Sequence, residues 1–159
     1  MGVLLALAAA IWLGLLILGP VLPVPVAGVL YALGSHICHQ RPERSFHLFS
    51  SQLPVCARCL GIYAGAAAGL LLTVHPWLRQ RLSRMSPRTM LCAGATPTLM
   101  TVVMEWGGVW STGNNLRAAA GATLGLAVAF VVAQAAATLH YGECVRRRPI
   151  VNNRPPTPI

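Results

Sequence analysis

The sequence has no lysine and no aspartate, and its three acidic residues face twelve basic ones, all arginine. Charged residues make up 9% of the chain, where soluble globular domains carry roughly 25%. A surface so poor in charge cannot be wetted on all sides. That excludes a cytosolic enzyme, a disordered tail and a disulfide-stapled mini-protein. Without aspartate there is no Ser-His-Asp triad, and no phosphate-cradling glycine loop occurs. What is present is apolar: 55% of the 159 residues are hydrophobic, and the mean hydropathy is +0.63. The composition is that of a polytopic membrane protein.

The net charge of +9 does not point to nucleic acid, because the arginines form no stripe interleaved with aromatics. Arg79, Arg81, Arg84 and Arg88 lie between two apolar runs, and Arg146, Arg147, Arg148 and Arg154 follow the last run. Arginine in short loops marks the cytoplasmic side of a membrane protein.

A spanning helix needs about 20 mostly apolar residues. Four runs qualify, at about 3–22, 59–78, 89–107 and 117–141. The Pro-rich stretch from Pro20 to Pro25 breaks the first, and His75-Pro76 closes the second. The first run is read as a helix rather than a signal peptide, since no basic residue precedes it and no convincing cleavage site follows. The expected fold is all-α, an integral membrane four-helix bundle spanning residues 1–145 with a basic, Pro-rich cytoplasmic tail at 146–159. Two spans separate the two arginine clusters, so both clusters and both termini are expected in the cytoplasm of a bacterial cell, at its inner membrane. The segment at about 24–58 is then an extracytoplasmic loop, and 107–116 a shorter one. Arg41, Arg44, Arg58 and Arg117 sit on the outer side, against the bias. Small residues recur every fourth position (Ala6, Ala10, Gly14; Gly61, Gly65, Gly69; Gly121, Gly125, Ala129, Ala133, Ala137), as close helix packing in lipid requires.

The chemistry is concentrated in the outer loop. Cys38, Cys56, Cys59, His36, His39 and His47 crowd one end of the molecule. Pro54 is placed to open the second membrane helix, with Cys56 and Cys59 on one face of its first turn. Backbone N–H groups there and the neighbouring Arg58 favour thiolates. A thiolate pair at this spacing is half of a tetrahedral zinc site, and Cys38 with one imidazole completes it. His39 is the preferred imidazole and His36 the geometric fallback, while His47 is read as an interfacial side chain. Cys92 and Cys144, at the opposite membrane face, are read as reduced bystanders. His75 and His140 share that face and are read as interfacial.

The residues Cys38-His39-Gln40, Pro42-Glu43-Arg44-Ser45 and Cys56-Ala57-Arg58-Cys59, with Gly61 and Tyr63, resemble the signature of a family of small bacterial membrane proteins catalogued as a domain of unknown function. A second family element pairs an acid in the third helix with an Asn…Arg…Gly segment opening the fourth. It is matched here by Glu105, with Glu where Asp is usual, and by Asn115, Arg117 and Gly121. The resemblance implies a fold and a site but no activity. Membrane topology places Glu105, Asn115 and Arg117 at the same face as the cysteines, with Arg117 or Arg58 the expected partner of Glu105. His36, Gln40, Arg44, Arg58, Glu105, Asn115 and Arg117 are read as pairing or ligand-orienting residues around the ligands.

Three functions are compatible with these residues. The first is a structural metal site, with zinc the expected ion. The second is an accessory subunit of a larger membrane complex, docked through small-residue helix faces and the tail. The third is a thiol–disulfide oxidoreductase using the CxxC pair, weakened because no second cysteine pair is available to relay electrons. Leu60 instead of His after the CxxC disfavours a c-type haem.

Overall fold

The computed structural model describes the backbone of residues 2–146 and side chains as far as Thr138. The expected tail beyond Arg146 and the side chains of His140 and Cys144 lie outside the described residues. Six helices and one β-hairpin follow in the order α1 (Gly2–Leu18), α2 (Val24–Ile37), β1 (Ser45–Leu48), β2 (Ser51–Cys56), α3 (Ala57–Thr73), α4 (Pro76–Leu82), α5 (Pro87–Trp106) and α6 (Asn114–Arg146).

The long helices stand in a row, α1 against α3, α3 against α6, and α6 against α5. The α3–α6 contact is the most extensive, and the small-residue rows create it. A methyl group added at Gly61 would fall on the Ala118 carbonyl, and one at Gly65 on the Ala122 carbonyl. From the other side, Gly121 faces the Arg58 carbonyl and Gly125 that of Ile62. In lipid, where apolar side chains gain little by meeting one another, such backbone approach supplies the packing. Ala6, Leu70 and Ala129 close the centre where α1, α3 and α6 meet. Trp12 packs edge-on to Tyr63, with ring centroids 6.1 Å apart. Threonines join α5 to α6: Thr98 Oγ1 donates to the Ala120 carbonyl at 2.7 Å and Thr123 Oγ1 to the Gly94 carbonyl at 2.9 Å.

By length and composition, two segments among the described residues can cross a membrane, Gly2–Val21 and Asn114–Thr138, and a third exists if α3 and α4 form one broken span. The run expected at 59–78 is therefore not one straight helix. It turns by 109° between Thr73 and Pro76, because the residue before a proline is driven out of the α region and His75 takes ψ 120°. The run at 89–107 is the 20-residue α5, capped by Ser86 with Pro87 in its first turn. Threonines, glycine and Pro97 leave it below the apolar content of the other two.

The all-α expectation needs correction in the segment expected to be an outer loop. Residues 24–58 are not a loop: they hold the 14-residue apolar helix α2 and an antiparallel hairpin. At 1.5 Å per residue α2 reaches about 21 Å, too short to span the roughly 30 Å hydrocarbon core. The Pro-rich stretch ends α1 as expected, and its last member Pro25 also opens α2, in the first turn where a missing N–H costs nothing. Pro54 does not open α3. It lies buried inside β2, and Cys56 caps the helix. The hairpin turns through Phe49 and Ser50, both at positive φ (49° and 64°), the backbone of a two-residue primed turn.

Candidate metal centre

Three elements deliver the three cysteines. Cys38 ends α2 with its N–H still bonded to the Gly34 carbonyl at 2.8 Å. Cys56 ends β2, paired with Ser45, and Cys59 follows in the first turn of α3. Their sulfurs all lie within 4.8 Å of one another, and none is in a disulfide. Tetrahedral zinc with bonds of about 2.3 Å holds its sulfurs about 3.8 Å apart, so small adjustments bring this cluster onto a metal. The Cys56 backbone N–H donates to Cys38 Sγ at 3.2 Å, a bond that favours thiolate and fixes the direction of the sulfur.

Gln40 sets the return of the chain after Cys38. It adopts φ 45°, and its amide donates to the carbonyls of Tyr31 (2.9 Å) and Pro54 (2.7 Å). Its own carbonyl accepts from Gln52 Nε2 at 2.6 Å, and the Tyr31 hydroxyl bonds the Gln52 carbonyl. Gly34 lies against Pro54 and Gln40, where a side chain would collide with both. Together these contacts lock α2 to β2 and so fix the distance from Cys38 to Cys56.

The Cys59 thiol donates to the Cys56 sulfur, and backbone N–H groups of Cys59 and Arg58 add to it. These bonds outweigh burial and hold the Cys56 thiol down at about 5. Cys56 is therefore a thiolate at neutral pH in the metal-free, reduced protein. Its alkylation rate should change less than about twofold between pH 8 and pH 6, whereas an ordinary thiol slows roughly 80-fold over that range. Stopped-time labelling with mass spectrometry, with the denatured chain as reference, measures this. A rate at Cys56 falling as steeply as in the denatured chain would contradict the hydrogen-bonded thiolate.

A second cluster stands beside the sulfurs. The Glu105 side chain, at the end of α5, is only 4% exposed and meets three guanidinium groups. Arg117 Nε lies 2.8 Å from it, Arg58 Nη2 3.5 Å and Arg44 Nη1 3.9 Å. Arg58 also donates to Thr101 Oγ1 at 3.3 Å. A cavity of about 480 Å³ opens between this cluster and the cysteines, and His39 and Gln40 line it too.

The structure thus brings Cys38, Cys56, Cys59, Gln40, Arg44, Arg58, Glu105 and Arg117 to one end of the molecule. His39 lines the same cavity but is exposed, and it stands outside the group formed by the three sulfurs. His36 is turned away, its Nδ1 against the Ala32 carbonyl of its own helix at 2.8 Å. Asn115 is exposed, and the asparagine at work is Asn114. Its Oδ1 accepts from Arg117 Nη1 at 2.9 Å and its Nδ2 donates to the Ser45 carbonyl at 3.1 Å, tying α6 to the hairpin. Helical spacing was the missed signal, since position 114 shares a face with Arg117 and position 115 does not. Ser45, part of the signature but given no role from sequence, is 1% exposed and its carbonyl accepts from Asn114, and Trp106 on the cavity rim was not singled out.

A chain with apolar helices of spanning length and a polar cluster confined to one end belongs to the class of integral membrane proteins. Residues 38–131 match the family described as predicted membrane protein (DUF2085), and the chain belongs to that family. It is 34% identical over 104 residues to an uncharacterized protein of Methanocaldococcus jannaschii, a match covering 65% of each chain. Over 31 residues it is 55% identical to an uncharacterized protein of Methanothermobacter thermautotrophicus, covering 20% of this chain and 28% of the relative. The chain thus spans less than two thirds of either relative's length. Both relatives are archaeal, where the resemblance had implied a bacterial family. No solved structure matches.

Proposed function

We propose that Cys38, Cys56 and Cys59, with His39 as fourth ligand, hold a zinc ion that pins α2 and the hairpin onto the helix bundle. The observation that carries this is the convergence of three unbridged sulfurs within 4.8 Å from three separate elements. Zinc suits a tetrahedral thiolate and imidazole set, and four protein ligands make the site structural rather than catalytic. His39 is favoured as the fourth ligand because it adjoins Cys38 and lines the same cavity. The reading assigns the protein four crossings (α1, the bent α3–α4 unit, α5 and α6) in a prokaryotic cytoplasmic membrane. Both termini are cytoplasmic and the site is at the outer face. The arginines of α4 and the α4–α5 turn support this, since they lie at the end of the bundle away from the cysteines. There Gln134 of α6 donates to the Leu82 carbonyl at 2.6 Å.

The test is elemental analysis of purified protein together with thiol counting. About one equivalent of zinc is expected, with the site thiols reactive only after chelation. Since a site missing one ligand leaves the others unsaturated, Cys38→Ser, His39→Ala and Cys56→Ser should each lose the metal as fully as a triple variant. Full occupancy in Cys38→Ser alongside loss in Cys56→Ser would overturn the four-ligand set. The lowered Cys56 thiol, with two sulfurs in reach, favours thiol–disulfide exchange as the second reading. A metal-free protein isolated with a Cys56–Cys59 disulfide would establish that one instead.

A further inference from the structure

We infer that the cavity beside the cysteines is a binding site for a phosphate-type oxyanion. Arg41, Arg44, Arg58 and Arg117 all line it, and Glu105 is the one carboxylate within ion-pair range of any of them among the described residues. One carboxylate cannot balance three guanidinium groups held around it, two of which are at least four-fifths buried. Charges taken out of water require a counter-charge. The cysteines do not supply enough. A zinc ion on three thiolates carries one net negative charge, which with Glu105 makes two against the four guanidinium groups that line the cavity. The inference rests on those guanidinium groups and their cavity, not on the metal reading.

The donors left over point the same way. Arg58 Nε is fully buried and has no hydrogen-bond partner among the described residues. Arg44, side chain 41% exposed, makes among the described residues only the long 3.9 Å approach to Glu105, which leaves most of its fork without a partner there. Planar guanidinium forks match tetrahedral oxyanions with paired N–H···O bonds. The first turn of α3, which carries Arg58, adds the positive end of a helix dipole to the same cavity. Ile37, Ile62 and Trp106 complete its wall, and Trp106 is 86% exposed, as side chains at a membrane interface are. A phosphate entering here can come from solution or from a lipid headgroup whose chains lie over that apolar rim.

The full chain in a non-ionic detergent tests the inference. Inorganic phosphate should raise the melting temperature above that in chloride of equal ionic strength. In Arg44→Gln the half-saturating concentration should rise about tenfold, the loss of one charge-assisted contact. Should that variant not fold, Arg41→Gln, altered at an exposed position, is expected to weaken binding in the same direction. Arg81→Gln, in α4, should leave it unchanged. Retention of phosphatidylglycerol over phosphatidylcholine, lost in the same variants, would identify a headgroup as the source. A phosphate shift without lipid retention would identify the free ion. Neither effect, or effects equal in wild type and both cavity variants, overturns the site. Cys38→Ser should keep the phosphate response even if its metal is gone. Loss of that response in Cys38→Ser with Arg44→Gln unaffected would place the anion on the metal and overturn the assignment to the guanidinium groups.

Discussion

Glu105→Gln is expected to destabilise the protein by about 3–5 kcal/mol, the usual cost of removing one partner from a buried ion pair. The carboxylate is 4% exposed, and its loss leaves Arg117 and Arg58 facing each other in a space built for a counter-charge. Arg117 joins α6 to α5 through this carboxylate and to the hairpin through Asn114. The variant should therefore also loosen the segment that carries Cys56, and metal retention should fall with melting temperature. Glu43→Gln is the control. Glu43 is exposed and makes no ion pair among the described side chains, so a change within roughly 0.5 kcal/mol is expected. Melting of both variants in one detergent, with metal content measured alongside, decides the matter. Equal behaviour would reduce Glu105 to a side chain that merely reaches the interface.

The sequence disclosed most about the site because the site is made of rare things. In a chain with three acidic residues, a glutamate inside an apolar run has to be paired, and membrane topology then named Arg58 and Arg117 as its partners. The structure joins it to both and adds Arg44, whose position depends on the hairpin. That hairpin was hidden for a physical reason. Its turn is Phe49-Ser50, without the Asn-Gly or Asp-Gly that usually marks two residues at positive φ. Its second strand also contains a proline, which argues against a strand until its place in a two-stranded edge is seen. The prolines do end the first run, but the helix α2 was masked because Pro25, in its first turn, also opens a helix there. The bend at His75-Pro76, where α3 turns into α4, was read only as the close of a run.

The small-residue rows were also legible, and they carry the second large effect. Gly65→Val is expected to cost about 3 kcal/mol or more, because the added atoms meet backbone rather than a movable side chain. The Ala122 carbonyl occupies the space, one turn beyond the Ala118 carbonyl that faces Gly61. Neither can retreat without separating α3 from α6 along the seam. That seam also sets the site. Arg58 rides on the first turn of α3 and Arg117 on the first turn of α6, and both must reach Glu105. Widening the seam should therefore weaken the ion cluster as well as the fold, so Gly65→Val should lose metal and phosphate binding together. Gly14→Ala separates this effect from helix propensity. A methyl there meets nothing within 4 Å, and replacing a mid-helix glycine by alanine is worth about 0.5–1 kcal/mol in favour of the helix. Gly14→Ala should melt at or above the wild-type temperature and keep its ligands, whereas Gly65→Val should melt well below it. Were the two to melt alike, the α3–α6 contact would not be the close backbone seam that holds the site together.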